Sequence, residues 1–246
     1  MILPCFRNRP QPPSRRLSPR EAYELLASDY DSIPNPMIAL EQDAMARLLP
    51  PLDGLRVADL GCGTGRCAKR ALAAGARHVY AIDLSAGMAG AVASRYREEE
   101  RLSAIRGDMQ SLPFPSDSLD GVLSGLALGY APRLERALSE VARVLRPGGF
   151  ALLSDLHPVG PSLGWEREYR IGASSHQEKI VVEHFPYSFE RFFQLAYESD
   201  LFLEALHEVP VGPSVAHFAR GFRERLRLRG LREVPAVAVF LLRKET

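Results

Sequence analysis

Two hydrophobic patterns alternate along most of this chain. Short apolar runs typical of buried strands are separated by stretches in which apolar residues recur at helical spacing. The runs predict strands at 55–60, 78–83, 102–107, 119–125, 150–156, 201–209 and 235–244. The stretches between them predict helices at 66–75, 85–100, 134–149, 188–200 and 214–230.

This order of elements predicts the fold class. Strands that alternate with helices form right-handed βαβ units and a parallel, doubly wound α/β sheet with helices on both faces. Ligands of such sheets bind at the carboxyl ends of the strands. Candidate functional residues are therefore sought directly after the predicted strands.

The segments outside this core predict a lid and a cap. Residues 1–20 contain five arginines, five prolines and no acid, which indicates a disordered tail. An organelle transit peptide shares this bias, although its amphipathic helix would not tolerate the prolines. We expect one domain over 21–246, made of a helical lid (21–52), a cofactor-binding core (53–155), an irregular insertion over the substrate (156–187) and a C-terminal part (188–246).

Composition narrows the function classes. The chain has 246 residues, 46% of them hydrophobic, and a net charge of +1, which favours a globular protein without a nucleic-acid or membrane partner. The basic helix predicted at 214–230 has no single arginine stripe and is interpreted as a solvated face. Three cysteines, Cys5, Cys62 and Cys67, favour a reducing compartment, and hence a cytoplasmic location, over a disulfide framework.

The sequence "VADLGCGTGR" (57–66) carries the clearest chemistry. Its glycines, Gly61, Gly63 and Gly65, follow a predicted strand, but their spacing differs from the dinucleotide fingerprint. Asp59 beside them would repel a pyrophosphate and favour a ligand that carries an ammonium or sulfonium. Asp83 ends the next strand, where a carboxylate accepts hydrogen bonds from a ribose. These residues predict a ribose-containing, cationic ligand and disfavour an NAD-dependent oxidoreductase.

Four motifs in this order resemble the class I S-adenosylmethionine-dependent methyltransferases, in the group that includes the quinone-biosynthesis methyltransferases. They are "VADLGCGTGR", "AIDLS" (81–85), "GDMQSLPFPSDSLDGVLS" (107–124) and "LRPGG" (145–149). The resemblance implies S-adenosylmethionine as the cofactor and a seven-stranded, mostly parallel sheet with one antiparallel strand. It implies no metal-binding or DNA-reading role, since "SGLALGY" stands where an "NPPY"-type motif would be.

The resemblance also assigns cofactor contacts. Asp59 would orient the methionine end, the glycines would line it with Cys62 between them, and Asp83 would hold the ribose. The predicted adenine contacts and the remaining cofactor-binding residues are Leu84, Met88, Gly107, Asp108, Met109 and Ser124. Tyr30 in the lid is expected to close over the cofactor. Gly87 and Gly90 weaken the helix on the adenine side.

The acceptor side has only candidates. His157 and Tyr130 follow the last two strands of the core and are the candidate catalytic residues, as a general base or substrate contact. The alternative is that His157 caps the strand end and Tyr130 packs in the lid. The insertion adds His176, His184, Trp165 and Tyr169, which would shape an acceptor pocket or stay solvated. The spacing of the histidines matches no metal-ligand pattern.

We expect methyl transfer to an oxygen, nitrogen or activated carbon of a small molecule, with release of S-adenosylhomocysteine. A carrier-bound acid or quinone-like ring is the alternative acceptor. A non-catalytic sensor or partner protein that binds the cofactor is the alternative from another class. The acceptor and the oligomeric state are left open.

Overall fold

The computed structural model describes residues 14–171, 178–212 and 233–246, and a seven-stranded sheet forms its centre. The strands are β1 (Ser14–Leu17), β2 (Arg56–Leu60), β3 (His78–Asp83), β4 (Leu102–Arg106), β5 (Leu119–Gly125), β6 (Leu145–Leu156), β7 (Glu168–Ile171), β8 (Glu178–Val182), β9 (Leu201–Pro210) and β10 (Pro235–Lys244). The α-helices are α1 (Pro19–Leu26), α2 (Pro36–Leu48), α3 (Arg66–Ala73), α4 (Ala86–Arg95), α5 (Leu134–Val144), α6 (Val159–Ser162) and α7 (Phe189–Glu198).

The order of the large sheet is β4-β3-β2-β5-β6-β10-β9. Neighbours from β4 to β6 pair in parallel, and β10 pairs antiparallel with both β6 and β9. The prediction of a mostly parallel sheet with one antiparallel strand is therefore confirmed. The chain leaves β2 toward β3 and β4 and then returns to β5 on the other side of β2. This reversal opens a crevice at the carboxyl ends of β2 and β5, where open α/β sheets bind ligands.

Helices cover both faces of the sheet and bury its apolar strands. One core cluster packs α2 and α3 on one face, through residues such as Met45 and Ala68, and a second packs α5 and α7 on the other, through Val141 and Phe192. β10 contributes to both, because successive side chains of a strand point to opposite faces. These packed faces fix the strand ends that build the crevice.

A second, three-stranded sheet has the order β1-β8-β7. It changes two predictions. Residues 14–17 were placed in a disordered tail but pair in parallel with β8, and the helix after them begins with a capping box between Ser18 and Glu21. The insertion supplies β7 and β8 and so forms regular structure around the cavity. A strand that pairs with a segment more than 150 residues away leaves no local pattern in the sequence.

Most predicted elements occur within a few residues of their expected bounds, and 78–83, 119–125 and 235–244 match. The helix predicted at 134–149 ends at Val144, and its last residues begin β6 instead. Pro147 has no N–H to donate to a helix, and Gly148 has a φ of +75°, so neither continues α5. The predicted helix at 214–230 and His176 lie outside the described residues. No helix in the described ranges is long and apolar enough to cross a membrane.

Candidate active site

A cavity of about 1560 Å³ opens at the carboxyl ends of β2, β3 and β5. The walls come from the loops after these strands, from the N-terminal segment and from the insertion. Most of the residues predicted from the sequence line it, although they come from segments spread over about a hundred residues. They are Tyr30, Asp59, Gly61, Cys62, Gly63, Gly65, Asp83, Leu84, Gly107, Asp108, Met109 and Tyr130.

The glycine loop after β2 has a backbone that only glycine adopts without strain. Gly61, Gly63 and Gly65 all have positive φ angles, of +63°, +54° and +89°. At Gly61 an added Cβ would also lie 2.5 Å from the Cβ of Ala127, in the loop after β5. The glycines therefore let two loops approach each other at the cavity wall.

Asp59 is buried and only half satisfied. Its Oδ2 accepts a hydrogen bond from the backbone N of Ala68 in the first turn of α3, at 2.8 Å. Its Oδ1 has no hydrogen-bond partner, although the residue lines the cavity. Burial raises the pKa of this carboxyl to about 7, against an opposing effect of Arg66. An ionised Asp59 therefore calls for a cationic donor from the cavity side.

Asp83 stands at the end of β3 and links two loops. Its Oδ2 accepts from the backbone N of Gly63 and its Oδ1 from the backbone N of Ser85, both at 2.9 Å. Burial raises its pKa, while these backbone hydrogen bonds act in the opposite direction. Each carboxylate oxygen has a further lone pair, so the group still has capacity to accept hydroxyl donors.

The side of the cavity predicted for adenine is partly as expected. Leu84 lines the cavity and is 42% exposed, and Met109 lines it as well. Asp108 lies there too, and its Oδ1 accepts from the backbone N of Gln110 at 2.9 Å. These residues offer one apolar surface and one acceptor, which suit an aromatic ring with an exocyclic amine.

Met88 and Ser124 do not line the cavity. Met88 is fully buried among residues of α1, including Ala22 and Leu26, because its position on α4 faces that helix. Ser124 is fully buried and donates its hydroxyl hydrogen bond to the carbonyl of Leu60, which ties β5 to β2. Their predicted contacts with the cofactor are corrected to structural roles.

His157 also lies outside the cavity. Its Nε2 is 2.7 Å from Oε1 of Glu208, and its Nδ1 accepts from the backbone N of Val159 at 3.1 Å. The ring packs edge-on against Phe189 and borders a second, smaller pocket together with His184. Both ring nitrogens thus hold the end of β6, which favours the alternative of a strand cap over the predicted catalytic role.

Tyr130 lines the cavity beside Tyr23, Tyr30 and Tyr169. Its hydroxyl lies 2.5 Å from that of Tyr23, and the guanidinium of Arg167 lies 4.3 Å from its ring centroid. Tyr23 and Arg167 were not predicted as site residues from the sequence. Tyr23 follows the ordinary spacing of a short helix, and Arg167 is one charge among several in "GWEREYR", so no local signal marks either residue.

Hydrogen bonds to the loops after β2 and β3 hold the N-terminal segment over the cavity. Glu24 accepts from the hydroxyl of Ser85 at 2.7 Å, and Asp31 accepts from the hydroxyl of Thr64 at 2.6 Å. The sequence predicted this lid from its helices but not its contacts. The lid covers the side of the cavity between the glycine loop and α4.

The residues present fit S-adenosylmethionine. The unpartnered Oδ1 of Asp59 matches a ligand ammonium, and Asp83 matches the hydroxyls of a ribose. Cys62 and Cys67 are free buried thiols. In the described ranges, no three His, Cys, Asp or Glu side chains are grouped so as to hold a metal ion.

Comparisons with known proteins agree with this geometry. Residues 58–153 match the family described as a methyltransferase domain. The chain is 37% identical over 128 residues to the malonyl-[acyl-carrier protein] O-methyltransferase of Pectobacterium atrosepticum. This match covers 51% of this chain and 49% of that protein. It is 34% identical over 132 residues to the demethylmenaquinone methyltransferase of Clavibacter sepedonicus, which covers 52% and 53%.

Among solved structures, an S-adenosylmethionine dependent methyltransferase from Mesorhizobium loti is similar in fold. It has a TM-score of 0.66 and 24% identity, and covers 85% of this chain and all of that one. The matches span about a quarter to a half of the length of the curated relatives. The motifs, the sheet order, the cavity and these matches together identify residues 58–153 as a methyltransferase domain that is similar to the class I S-adenosylmethionine-dependent methyltransferases.

Proposed function

We propose that this protein transfers the methyl group of S-adenosylmethionine to a small-molecule acceptor and releases S-adenosylhomocysteine. The observation that carries the proposal is the pair of carboxylates, Asp59 and Asp83, near the carboxyl ends of the adjacent strands β2 and β3. Asp59 lines the cavity and has a buried, unpartnered oxygen, and Asp83 ends its strand beside the glycine loop. Their charge suits a cationic nucleoside ligand and opposes a pyrophosphate.

The residues have distinct roles in this proposal. Asp59 accepts the ligand's ammonium, Asp83 accepts the ribose hydroxyls, and Leu84, Asp108 and Met109 surround the adenine. When bound, the cofactor supplies an electrophilic methyl group on a positively charged sulfur. The protein contributes mainly alignment and exclusion of water, because the transfer is an in-line displacement.

The acceptor side is proposed to lie at the tyrosines and the loop that contains Tyr130. Tyr130 lines the cavity, as do Trp165 and Tyr169, which the sequence also offered for an acceptor pocket. An oxygen, nitrogen or activated carbon is the proposed acceptor atom. A carrier-bound acid or a quinone-like ring is a narrower version, supported by the names of two relatives, a malonyl-[acyl-carrier protein] O-methyltransferase and a demethylmenaquinone methyltransferase.

The proposal also includes the cellular compartment and the class of acceptor. Two buried free thiols, Cys62 and Cys67, suit a reducing compartment and support a cytoplasmic location. The net charge of +1 supports a small molecule over a nucleic acid as the acceptor.

Titration calorimetry with S-adenosylhomocysteine, and in parallel with NAD, tests the cofactor. We expect micromolar binding of the first and none of the second; binding of NAD alone, or of neither, would refute the proposal. An acceptor screen that follows S-adenosylhomocysteine release then separates an enzyme from a sensor. Turnover with any acceptor excludes a purely sensory role.

A further inference from the structure

Four tyrosines from separate parts of the chain meet at one wall of the cavity. We call Tyr23, Tyr30, Tyr130 and Tyr169 the tyrosine cluster. The hydroxyl of Tyr23 lies 2.5 Å from that of Tyr130 and 3.0 Å from that of Tyr169, and the rings of Tyr30 and Tyr169 are 6.2 Å apart. None of these residues belongs to the four cofactor motifs. The cluster is therefore a separate polar feature of the same cavity.

The hydroxyls of the cluster have a surplus of donors. The four O–H groups of the cluster share three hydrogen bonds, Tyr23 with Tyr130, Tyr23 with Tyr169 and Tyr30 with Tyr169, so at least one proton is left to donate. Burial raises the pKa of Tyr23 and of Tyr169, and raises that of Tyr30 to about 12, which keeps these phenols protonated at neutral pH. The cluster therefore suits a ligand group that accepts hydrogen bonds.

A buried cation stands behind the cluster. The guanidinium of Arg167 lies 4.3 Å from the ring centroid of Tyr130, and its Nη1 donates to the carbonyl of Leu126 at 2.7 Å. Its Nη2 pairs with Asp155, while its Nε is buried without a hydrogen-bond partner. The Arg167 side chain is 92% buried, with 8% exposed.

Arg167 and its anion differ in their position relative to the cavity. Arg167 borders both the main cavity and the smaller pocket, whereas Asp155 borders the smaller pocket only. Within this ion pair, it is therefore the cation that contributes to the wall of the main cavity. The acidic residues on either side are themselves engaged, Glu166 with Arg16 at 3.0 Å and Glu168 with Lys179 at 2.6 Å.

We propose that the tyrosine cluster and Arg167 form the acceptor subsite, and that they bind a carboxylate of an organic acid. The inference rests on the proposed function and deepens it by naming the class of acceptor. Phenol O–H groups donate to the carboxylate oxygens, and Arg167 stabilises their charge at short range. Ile33, Met37 and Trp165 also line the cavity and offer an apolar surface for the body of the acid.

The protein has its own reporter for this site. Trp165 is the single tryptophan of the chain, lines the cavity and precedes Arg167 by two residues. We would titrate the full chain with benzoate and with benzamide, its neutral isostere, and follow the emission of Trp165. The titrations are run with and without saturating S-adenosylhomocysteine. We expect a saturable change with benzoate, and binding of benzamide at least tenfold weaker.

Two variants test the assigned residues. Tyr23→Phe removes the central hydroxyl and keeps the pair between Arg167 and Asp155, so it is the deciding variant. We expect it to raise the dissociation constant of benzoate about tenfold. Arg167→Gln should weaken benzoate at least as much, but it leaves Asp155 without its cation and destabilises the fold. Tyr197→Phe is the matched control, because that tyrosine is 69% exposed and does not line the cavity.

The outcomes separate this inference from the proposed function. Equal binding of benzamide and benzoate, no emission change with either, or unchanged benzoate affinity in Tyr23→Phe would each overturn the carboxylate subsite. Calorimetric binding of S-adenosylhomocysteine is measured without any acid. Its absence refutes the proposed function, and its presence together with an indifferent response to benzoate refutes only this inference.

Discussion

Replacing Asp59 by asparagine should make the cofactor-free protein more stable at neutral pH relative to wild type than at acidic pH. In the wild type, burial raises the pKa of Asp59 to about 7 from an ordinary value of 3.8. This difference corresponds to about 4 kcal/mol that opposes folding once the carboxyl is ionised in both states. Burial of the carboxyl, whose Oδ1 has no hydrogen-bond partner, is the structural origin of the cost.

The direction of the pH effect follows from proton binding. Between pH 3.8 and about 7 the folded state binds more protons at Asp59 than the unfolded state does, so raising the pH lowers the free energy of unfolding. The stability that the folded protein has while Asp59 is protonated is fully present below pH 3.8 and is lost as the pH rises through about 7. Asparagine does not titrate. The stability of the variant minus that of the wild type should therefore increase by about 2 kcal/mol between pH 5 and pH 7.

Chemical denaturation of both proteins at the two pH values measures this change. Asp43→Asn, at an exposed position on α2, is the control for replacing a carboxylate. A stability difference for Asp59→Asn that is the same at both pH values would refute the argument. The variant should also bind S-adenosylhomocysteine about tenfold or more weakly, because a charged acceptor for the ligand's ammonium is lost. Wild-type affinity in that variant would remove Asp59 from the binding site.

Three other substitutions test the remaining assignments. Asp83→Ala should weaken S-adenosylhomocysteine by about 1 to 3 kcal/mol in calorimetry; unchanged affinity would mean that the ribose lies elsewhere. Gly61→Ala should destabilise the protein by about 2 kcal/mol more than Gly54→Ala in thermal denaturation, because both glycines have positive φ but only Gly61 would bring a Cβ within 2.5 Å of Ala127. Equal costs would show that the loop yields. His157→Ala should lower the free energy of unfolding by about 1 to 3 kcal/mol, because two hydrogen bonds are lost. Turnover at saturating cofactor should stay unchanged. A large fall in turnover of the folded variant would support a catalytic role for His157.

The sequence by itself determined the parts that depend on neighbouring residues. Strand and helix periodicity predicted the β/α alternation, and with it a parallel sheet whose ligand lies at the carboxyl ends of the strands. The spacing of Gly61, Gly63 and Gly65, with Asp59 before them and Asp83 after the next strand, indicated the ligand's charge and its ribose. Such signals are local, because backbone φ and strand burial leave their mark on adjacent residues.

Only the tertiary structure decided which side chains meet. The hydroxyls of Tyr23 and Tyr169 lie 3.0 Å apart although the residues are 146 positions apart in the chain. Met88 and His157 have suitable neighbours in sequence, yet helix α1 covers the first and Glu208 engages the second. The direction of a side chain depends on the packing of segments far apart in the chain, and periodicity along one segment carries no record of it. Local signals in the sequence therefore identified most of the cavity residues predicted for the cofactor. Tyr23 and Arg167, on the proposed acceptor side, could be identified only from the fold.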